Sequence, residues 1–399
     1  MDRWDLMQIA FNNFKLPVKL ENDYEYANHL DRMLNQYLEE VKQIPNFPKV
    51  NIDNVEENIN LIKESLRCYY NAEIDKAKRN ILKLLNKYEN NKFIISDLNK
   101  NYAFRGLAPF KELKVSGYPY DIMNETELSF FKARIGNESF SKKDMLHIPF
   151  NKRELIKTQR FSISGVPCLY LGTTSYVCWL EMNKPRDSEF NVSSYKIPGQ
   201  LKILNLVGDQ MLINGQASGC NFCEKEYIEK NIELLKTMIE FFPIIYATSY
   251  SIINANRNFK SEYIISQLII QCLEELKVDG IAYISKKVSN NLVGYAQCTN
   301  LAIPIKYKGC YTYENEISRY GELCKDIYLT NCVNFAEFQK LVHSSRHEEK
   351  YSFINTCYTD IGTSEIELAG RNVIYQECTF SRFDNYLFSL NHSVSEIYK

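Results

Sequence analysis

Residues 159–181 read QRFSISGVPCLYLGTTSYVCWLE, and the fold turns on how this stretch is punctuated. QRFSIS alternates apolar and polar residues as a half-buried strand does, Gly165 and Pro167 supply a turn, and PCLYL returns as a second strand. Gly172 leads into Thr173 and Thr174, which offer an N-cap to a helix beginning near Ser175. The stretch thus predicts strand, hairpin, strand, helix. Arg160 and Tyr170 then lie on paired strands, and Glu181 falls about two turns into the helix, on the side of Val177 and Cys178. Two readings are open. The three polar side chains can converge on one cleft, or Arg160 and Glu181 can form a partly buried ion pair with Tyr170 in the core. Periodicity alone favours the second, because such pairs are common and contribute little to stability.

Upstream, residues 1 to 95 carry helical stripes. Leu30, Leu34, Tyr37, Leu38 and Val41 share one face, then Val55, Ile59, Ile62, Leu66 and Tyr69, then Ile74, Ile81, Leu85 and Tyr88. IPNFPKVN and YYNAE break the helices, and YENNKFIISDLNKN leads out of them. Downstream, strand-like pieces (SSYKI, LKILNL, GIAYIS, NLAIPIKY) mix with two helical stretches, EKEYIEKNIELLKTMIE and SEYIISQLIIQCLEEL. The expected fold class is α+β, without a regular βαβ repeat. The expected organisation is a helical domain over 1–95, a mixed core over 96–310, and an extension over 311–399 that completes or flanks it.

The 399 residues carry a net charge of -1 with 24% charged and 45% apolar residues, so no global field attracts nucleic acid or anionic lipid. The 12 Cys lack the rhythm of a secreted scaffold, and MDRWDLMQIAFNNF lacks the progression of a signal peptide, which points to reduced thiols in a cytoplasmic protein. The longest apolar stretches fall short of the roughly 20 residues that span a bilayer, so no membrane segment is expected.

Several chemistries are disfavoured. None of the 15 Gly forms a G-x-G, and neither a P-loop nor a G-x-S-x-G elbow is present, so any nucleotide must be held by side chains. Cys220 and Cys223 form one C-x-x-C and His343 and His347 one H-x-x-x-H, but zinc modules keep their ligand pairs far closer in sequence, and no metal site is expected. The 5 His include none in a nucleophile context that suggests a triad.

RFSISGVPCLYLGTTSYVCWLE resembles the signature of the RES-domain family: an Arg-aromatic strand, a Gly-Pro turn, an LYL strand and a helix carrying Glu. The resemblance extends upstream through FFKARIG and DMLHIPFNKRELIKTQ and downstream to DGIAYISKKVSNNLVGYAQCTNLAIP, roughly residues 100 to 310. It implies an ADP-ribosyltransferase-like mixed β core flanked by helices, and an enzyme that degrades NAD+, often a toxin paired with an antitoxin.

Carried over by position, the resemblance makes Arg160, Tyr170 and Glu181 the catalytic residues and Ser285 a contact on the phosphate side. A further basic residue upstream would grip phosphate, and Arg134, Lys132 and Arg105 are the candidates, Arg134 foremost. A carboxylate at Glu181 suits the positive charge that builds on ribose as nicotinamide leaves. Two Arg can grip a pyrophosphate through forked hydrogen bonds. Tyr170 can pack on the nicotinamide ring or orient the ribose.

NAD+ is then a substrate and no cofactor is implied. Water as acceptor gives a glycohydrolase, inorganic phosphate as co-substrate a phosphorylase, and a protein or nucleic acid an ADP-ribosyltransferase. A non-catalytic interaction protein on the same fold is the alternative of a different class. The implied partners are NAD+ and an antitoxin or inhibitor protein; a homo-oligomer is compatible with the sequence, which signals no nucleic-acid partner.

Overall fold

The computed structural model describes residues 13–105, 128–208, 225–254, 257–288, 295–307, 309, 313–344 and 365–398. After a short strand β1 (Val18–Leu20) come three long helices, α1 (Glu25–Lys42), α2 (Lys49–Tyr70) and α3 (Ile74–Asn86). Their buried faces are the sequence stripes: Leu30, Leu34, Tyr37, Leu38 and Val41 in α1, Val55, Ile59, Ile62 and Leu66 in α2, Ile81 and Leu85 in α3. Ile74, at the start of α3, is exposed instead.

The strands that follow are β2 (Ile95–Asp97), β3 (Phe130–Ile135), β4 (Cys168–Gly172), β5 (Phe190–Lys196), β6 (Lys202–Leu206), β7 (Tyr250–Ile252), β8 (Gly280–Ile284), β9 (Thr299–Pro304), β10 (Tyr328–Leu329) and β11 (Val333–Asn334). Helices α4 (Ser175–Glu181), α5 (Lys225–Thr248), α6 (Ile264–Gln271), α7 (Phe335–Ser344) and α8 (Thr379–Ser389) lie among and after them, and β12 (Glu365–Leu368) and β13 (Arg371–Ile374) form a separate hairpin. The main sheet runs β10-β5-β3-β4-β9-β8-β6-β2, with β11 also on β5. Only β6 and β8 pair in parallel within it, and α5 and α6 lie on the connection between them, as a parallel crossover requires. The protein is an α+β fold with a helical N-terminal region.

Alternation assigns the faces of the sheet. Tyr170 pairs with Ala302 and Gly172 with Asn300 across β4 and β9, while Ile281 pairs with Ala302 and Tyr283 with Asn300 across β8 and β9. Tyr170, Asn300, Ala302, Ile281 and Tyr283 therefore share one face, and Leu169, Leu171, Leu301, Ile303 and Ala282 the other. The first face packs under the helices. One apolar cluster runs from α1–α3 through α5 and α6 to Leu204, Leu206, Ile281, Tyr283 and Ala302.

Polar contacts bind the same layers together. The Tyr26 hydroxyl donates to Ala247 O (3.0 Å), that of Tyr37 to Ile239 O (2.8 Å), and Asn58 Nδ2 to Glu240 O (2.9 Å). β1 adds a parallel pairing with β7. The N-terminal helices thus share one core with helices from the middle of the chain.

The C-terminal segment supplies the edge strands β10 and β11 and a second helical layer. Phe335, Phe338, Phe380 and Phe383 pack with Tyr176, Val177 and Leu180 of α4, and the Phe335 and Phe380 rings stack at 4.9 Å.

The hairpin expected before β4 does not form. Arg160 lies in a turn, and residues 157–167 contain no strand. The alternation of FSIS is strand-like, but β4 already has β3 on one edge and β9 on the other, so the segment has no edge to pair with. Local bonds shape it instead: Gln159 N donates to Ser162 Oγ (2.9 Å), Val166 N to Ile163 O (3.0 Å), and Gly165 takes φ 72°. Helix α6 is likewise shorter than its apolar stripe, ending at Gln271.

Candidate active site

Glu181 is the last residue of α4, so the capping of that short helix decides where its carboxylate sits. At the N-terminus, Thr174 Oγ1 accepts from Val177 N (3.1 Å) and donates to Gln297 O (2.6 Å). Asp384 Oδ1, from α8, accepts from Ser175 N (2.9 Å). Gly172 lets β4 run directly under the helix, since a Cβ there would come within 2.4 Å of Val177 Cγ1. At the C-terminus, Lys287 Nζ donates to Glu181 O (2.7 Å) and Asn183 Oδ1 (2.6 Å), placing a cation on the negative end of the helix.

The Glu181 side chain is half-buried and turns toward the sheet. Asn300 Nδ2, on β9, donates to its Oε1 (2.8 Å), and Oε2 has no hydrogen-bond partner among the described residues. One carboxylate oxygen is fixed and the other is left available.

Arg160 is 8% exposed. Its guanidinium donates to Ile284 O (2.6 Å) and Thr248 O (3.3 Å) and lies over the Tyr283 ring at 4.2 Å. Burial lowers its proton affinity, and the facing Tyr283, Glu181 and Tyr263 oppose that shift. It stays charged, because guanidinium does not deprotonate in proteins.

Tyr170 donates its hydroxyl to Phe161 O (2.7 Å), which pins the turn carrying Arg160 onto β4. Burial pushes its phenol well above the ordinary range, so it acts as a donor and not as a phenolate. Ser285 is buried just past β8; its N donates to Cys298 O (2.9 Å) and its Oγ accepts from Lys287 N (3.2 Å).

Four residues singled out in the sequence therefore lie around the adjoining ends of β4, β8 and β9: Arg160 on Ile284 O beside Ser285, Tyr170 on the residue after Arg160, and Glu181 across Asn300 within the field of Arg160. The upstream basic residues are placed elsewhere. Phe131 pairs with Gly172, so Lys132 and Arg134 alternate to the face opposite Tyr170 and Asn300. Arg134 is exposed, donates to Asp144 O (2.7 Å) and covers the Phe140 ring at 4.8 Å. Lys132 donates to Met145 O (2.7 Å) and to Leu146 O, and burial brings it down to about 7. Arg105 closes a short helix, Tyr102–Arg105, and its side chain lies outside the described residues.

Asn300, Tyr283, Tyr263 and Lys286 also line this region, and sequence reasoning missed them. Asn300 and Tyr283 were within reach, since pairing β4 and β8 with β9 puts both on the face of Tyr170. Lys286 and Lys287 read as an ordinary charged turn.

Among the described residues, no group of three or more His, Cys, Asp or Glu could hold a metal ion. Cys220, Cys223, His347 and the His343 side chain lie outside those residues. No described helix is long and apolar enough to cross a membrane.

Among curated proteins, the chain is 27% identical over 313 residues to a protein of Bacillus subtilis (strain 168) named "Putative toxin YopC". The match covers 76% of this chain and 66% of that protein's length, just under two thirds. No protein-family profile matches the chain, and no solved structure matches it.

Proposed function

We propose that this chain is a toxin-like enzyme of the RES-domain type that cleaves the nicotinamide–ribose bond of NAD+. The observation that carries the proposal is the Glu181 carboxylate, held through one oxygen by Asn300 and within the field of the buried Arg160. The similarity to a toxin-named protein supports a toxic role.

Nicotinamide departs with the electron pair of its bond to C1′ of the ribose, leaving an oxocarbenium-like centre. A carboxylate oxygen within reach of that carbon stabilises it more than it stabilises the ground state, which is the condition for acceleration. Asn300 keeps Glu181 from rotating away. Arg160, fixed by two backbone carbonyls, still has N–H groups for a phosphate oxygen or ribose hydroxyl. Tyr170 positions Arg160 by holding the backbone next to it. Attack by water on C1′ yields nicotinamide, ADP-ribose and a proton; attack by inorganic phosphate yields nicotinamide and ADP-ribose 1-phosphate on the same ribose. An enzyme of this kind consumes a shared metabolite, so an antitoxin or inhibitor protein would restrain it in the host.

Incubating the purified chain with NAD+, with and without inorganic phosphate, and measuring nicotinamide and the ribose product tests this directly. Nicotinamide release is expected, and Glu181→Gln, which keeps the shape and removes the charge, is expected to lower turnover on the order of 10³-fold. Release only when a protein or nucleic acid is added would make the chain a transferase. No release under any condition, or wild-type turnover in Glu181→Gln, would refute the proposal.

A further inference from the structure

We propose that Lys286 is the anchor of a phosphoryl-anion site, formed with Arg160 and Lys260 around the rings of Tyr263 and Tyr283. Lys286 is the second residue after β8. Its Nζ is buried and has no hydrogen-bond partner among the described residues. An ammonium carries three donors and no acceptor, so a buried one without a partner is an arrangement that proteins ordinarily avoid. Among the described residues, none supplies the missing acceptor. Tyr263 presents its ring, with Lys286 at 4.8 Å and Lys260 at 5.0 Å from the centroid.

The neighbouring charges make the local excess positive. Arg160, Lys260, Glu262 and Glu181 all act on Lys286, whose ammonium lies over the Tyr263 ring, while Tyr283 lies under Arg160. Glu262 is already engaged: it is buried and takes Arg257 NH2 at 2.8 Å, and Arg257 also pairs with Asp23. Glu181 is fixed by Asn300. Arg160, Lys260 and Lys286 thus have no carboxylate of their own within ion-pair distance among the described residues. A tetrahedral phosphoryl group, with several anionic oxygens, answers three convergent cations better than a single carboxylate does. Burial and Arg160 push the Lys286 ammonium well down, and an anion bound beside it would oppose that shift.

The site deepens the proposed reaction, on which it rests only for the source of the anion. The phosphoryl oxygens could belong to the pyrophosphate of the dinucleotide or to free inorganic phosphate, since both present the same chemistry. The first would make Lys286 the grip that Arg134 and Lys132 are placed too far around the sheet to supply; the second would place the acceptor beside Glu181.

Isothermal titration of the full chain with ADP-ribose and, separately, inorganic phosphate tests the proposal. Lys286→Met is expected to weaken at least one of them by 10-fold or more, while nicotinamide riboside, which has no phosphate, binds both proteins alike. Loss confined to ADP-ribose assigns the site to the dinucleotide, and loss for phosphate alone assigns it to the co-substrate. Equal affinity of wild type and Lys286→Met for both ligands overturns it.

If Lys286→Met does not fold, Lys260→Met, which removes the site's less deeply placed cation, decides: weaker binding of ADP-ribose or phosphate by several-fold is expected, with nicotinamide riboside unaffected. Unchanged affinity for both anions overturns the site. Anion binding without nicotinamide release from NAD+ would leave the site standing and remove the proposed reaction.

Discussion

Asn300 is the residue through which the sheet reaches Glu181, and replacing it separates orientation from charge. Asn300→Ala deletes a hydrogen bond to a carboxylate, an interaction of about 1.5–3 kcal/mol. The expected result is a roughly 10- to 100-fold drop in kcat for NAD+ cleavage with little change in KM, checked by initial-rate kinetics, while the urea midpoint moves only slightly. An unchanged kcat would show that Glu181 needs no such support. At this scale the sequence was partly legible. Arg160, Tyr170 and Glu181 stood out because they lie within one short stretch whose punctuation is local. Asn300 did not, because it is 119 residues from its partner and meets it only through strand register. Lys286 was hidden for another reason: a lysine in a turn reads as solvated, and only the surrounding layers bury it.

Helix α4 shows how an element too short to be stable alone is held from outside. A 7-residue helix is marginal in water, and this one relies on Thr174, Lys287 and Asp384. Asp384 also accepts from the Tyr375 hydroxyl, yet desolvation dominates and raises it from the usual carboxylate range to about 7. The folded state therefore holds this proton more tightly than the unfolded chain does. Its contribution to stability is fully present below about pH 4 and is lost as pH climbs to about 7, a change of a few kcal/mol. Asp384→Asn cannot titrate, so its stability relative to wild type should rise across that window. Urea unfolding of both proteins at pH 5 and pH 7.5 measures this, and an equal difference at the two values would exclude Asp384 as the titrating group. The helix itself was legible from the Thr pair after Gly172. Its third support was not, since it comes from α8. The strand misread over FSIS has the same origin: period-two alternation proposes a strand, but pairing needs a free edge, and β3 and β9 occupy both edges of β4.

For the molecule as a whole, the apolar stripes of the N-terminal helices were readable one helix at a time, but not the surface they cover. They share one core with α5, α6 and the sheet face bearing Tyr283, and Asp23 joins the Arg257–Glu262 pair beside the proposed anion site. A chain beginning at residue 96 would expose that core. It is expected to be insoluble or to lack a cooperative thermal transition, whereas the full chain should unfold with α1–α3 and the sheet in one transition, as followed by hydrogen exchange. A folded, soluble fragment with NAD+ cleavage activity would show the helices to be a detachable module.

The clasp between Asp384 and Ser175 joins positions 209 residues apart. At ordinary translation speeds of ~5–20 residues per second, a ribosome needs roughly 10–40 s to supply the second half of that clasp after the first has been made. Throughout that interval α4 lacks the Asp384 contact at its first N–H. The short helix that presents Glu181 thus gains this support only long after its own residues have left the ribosome.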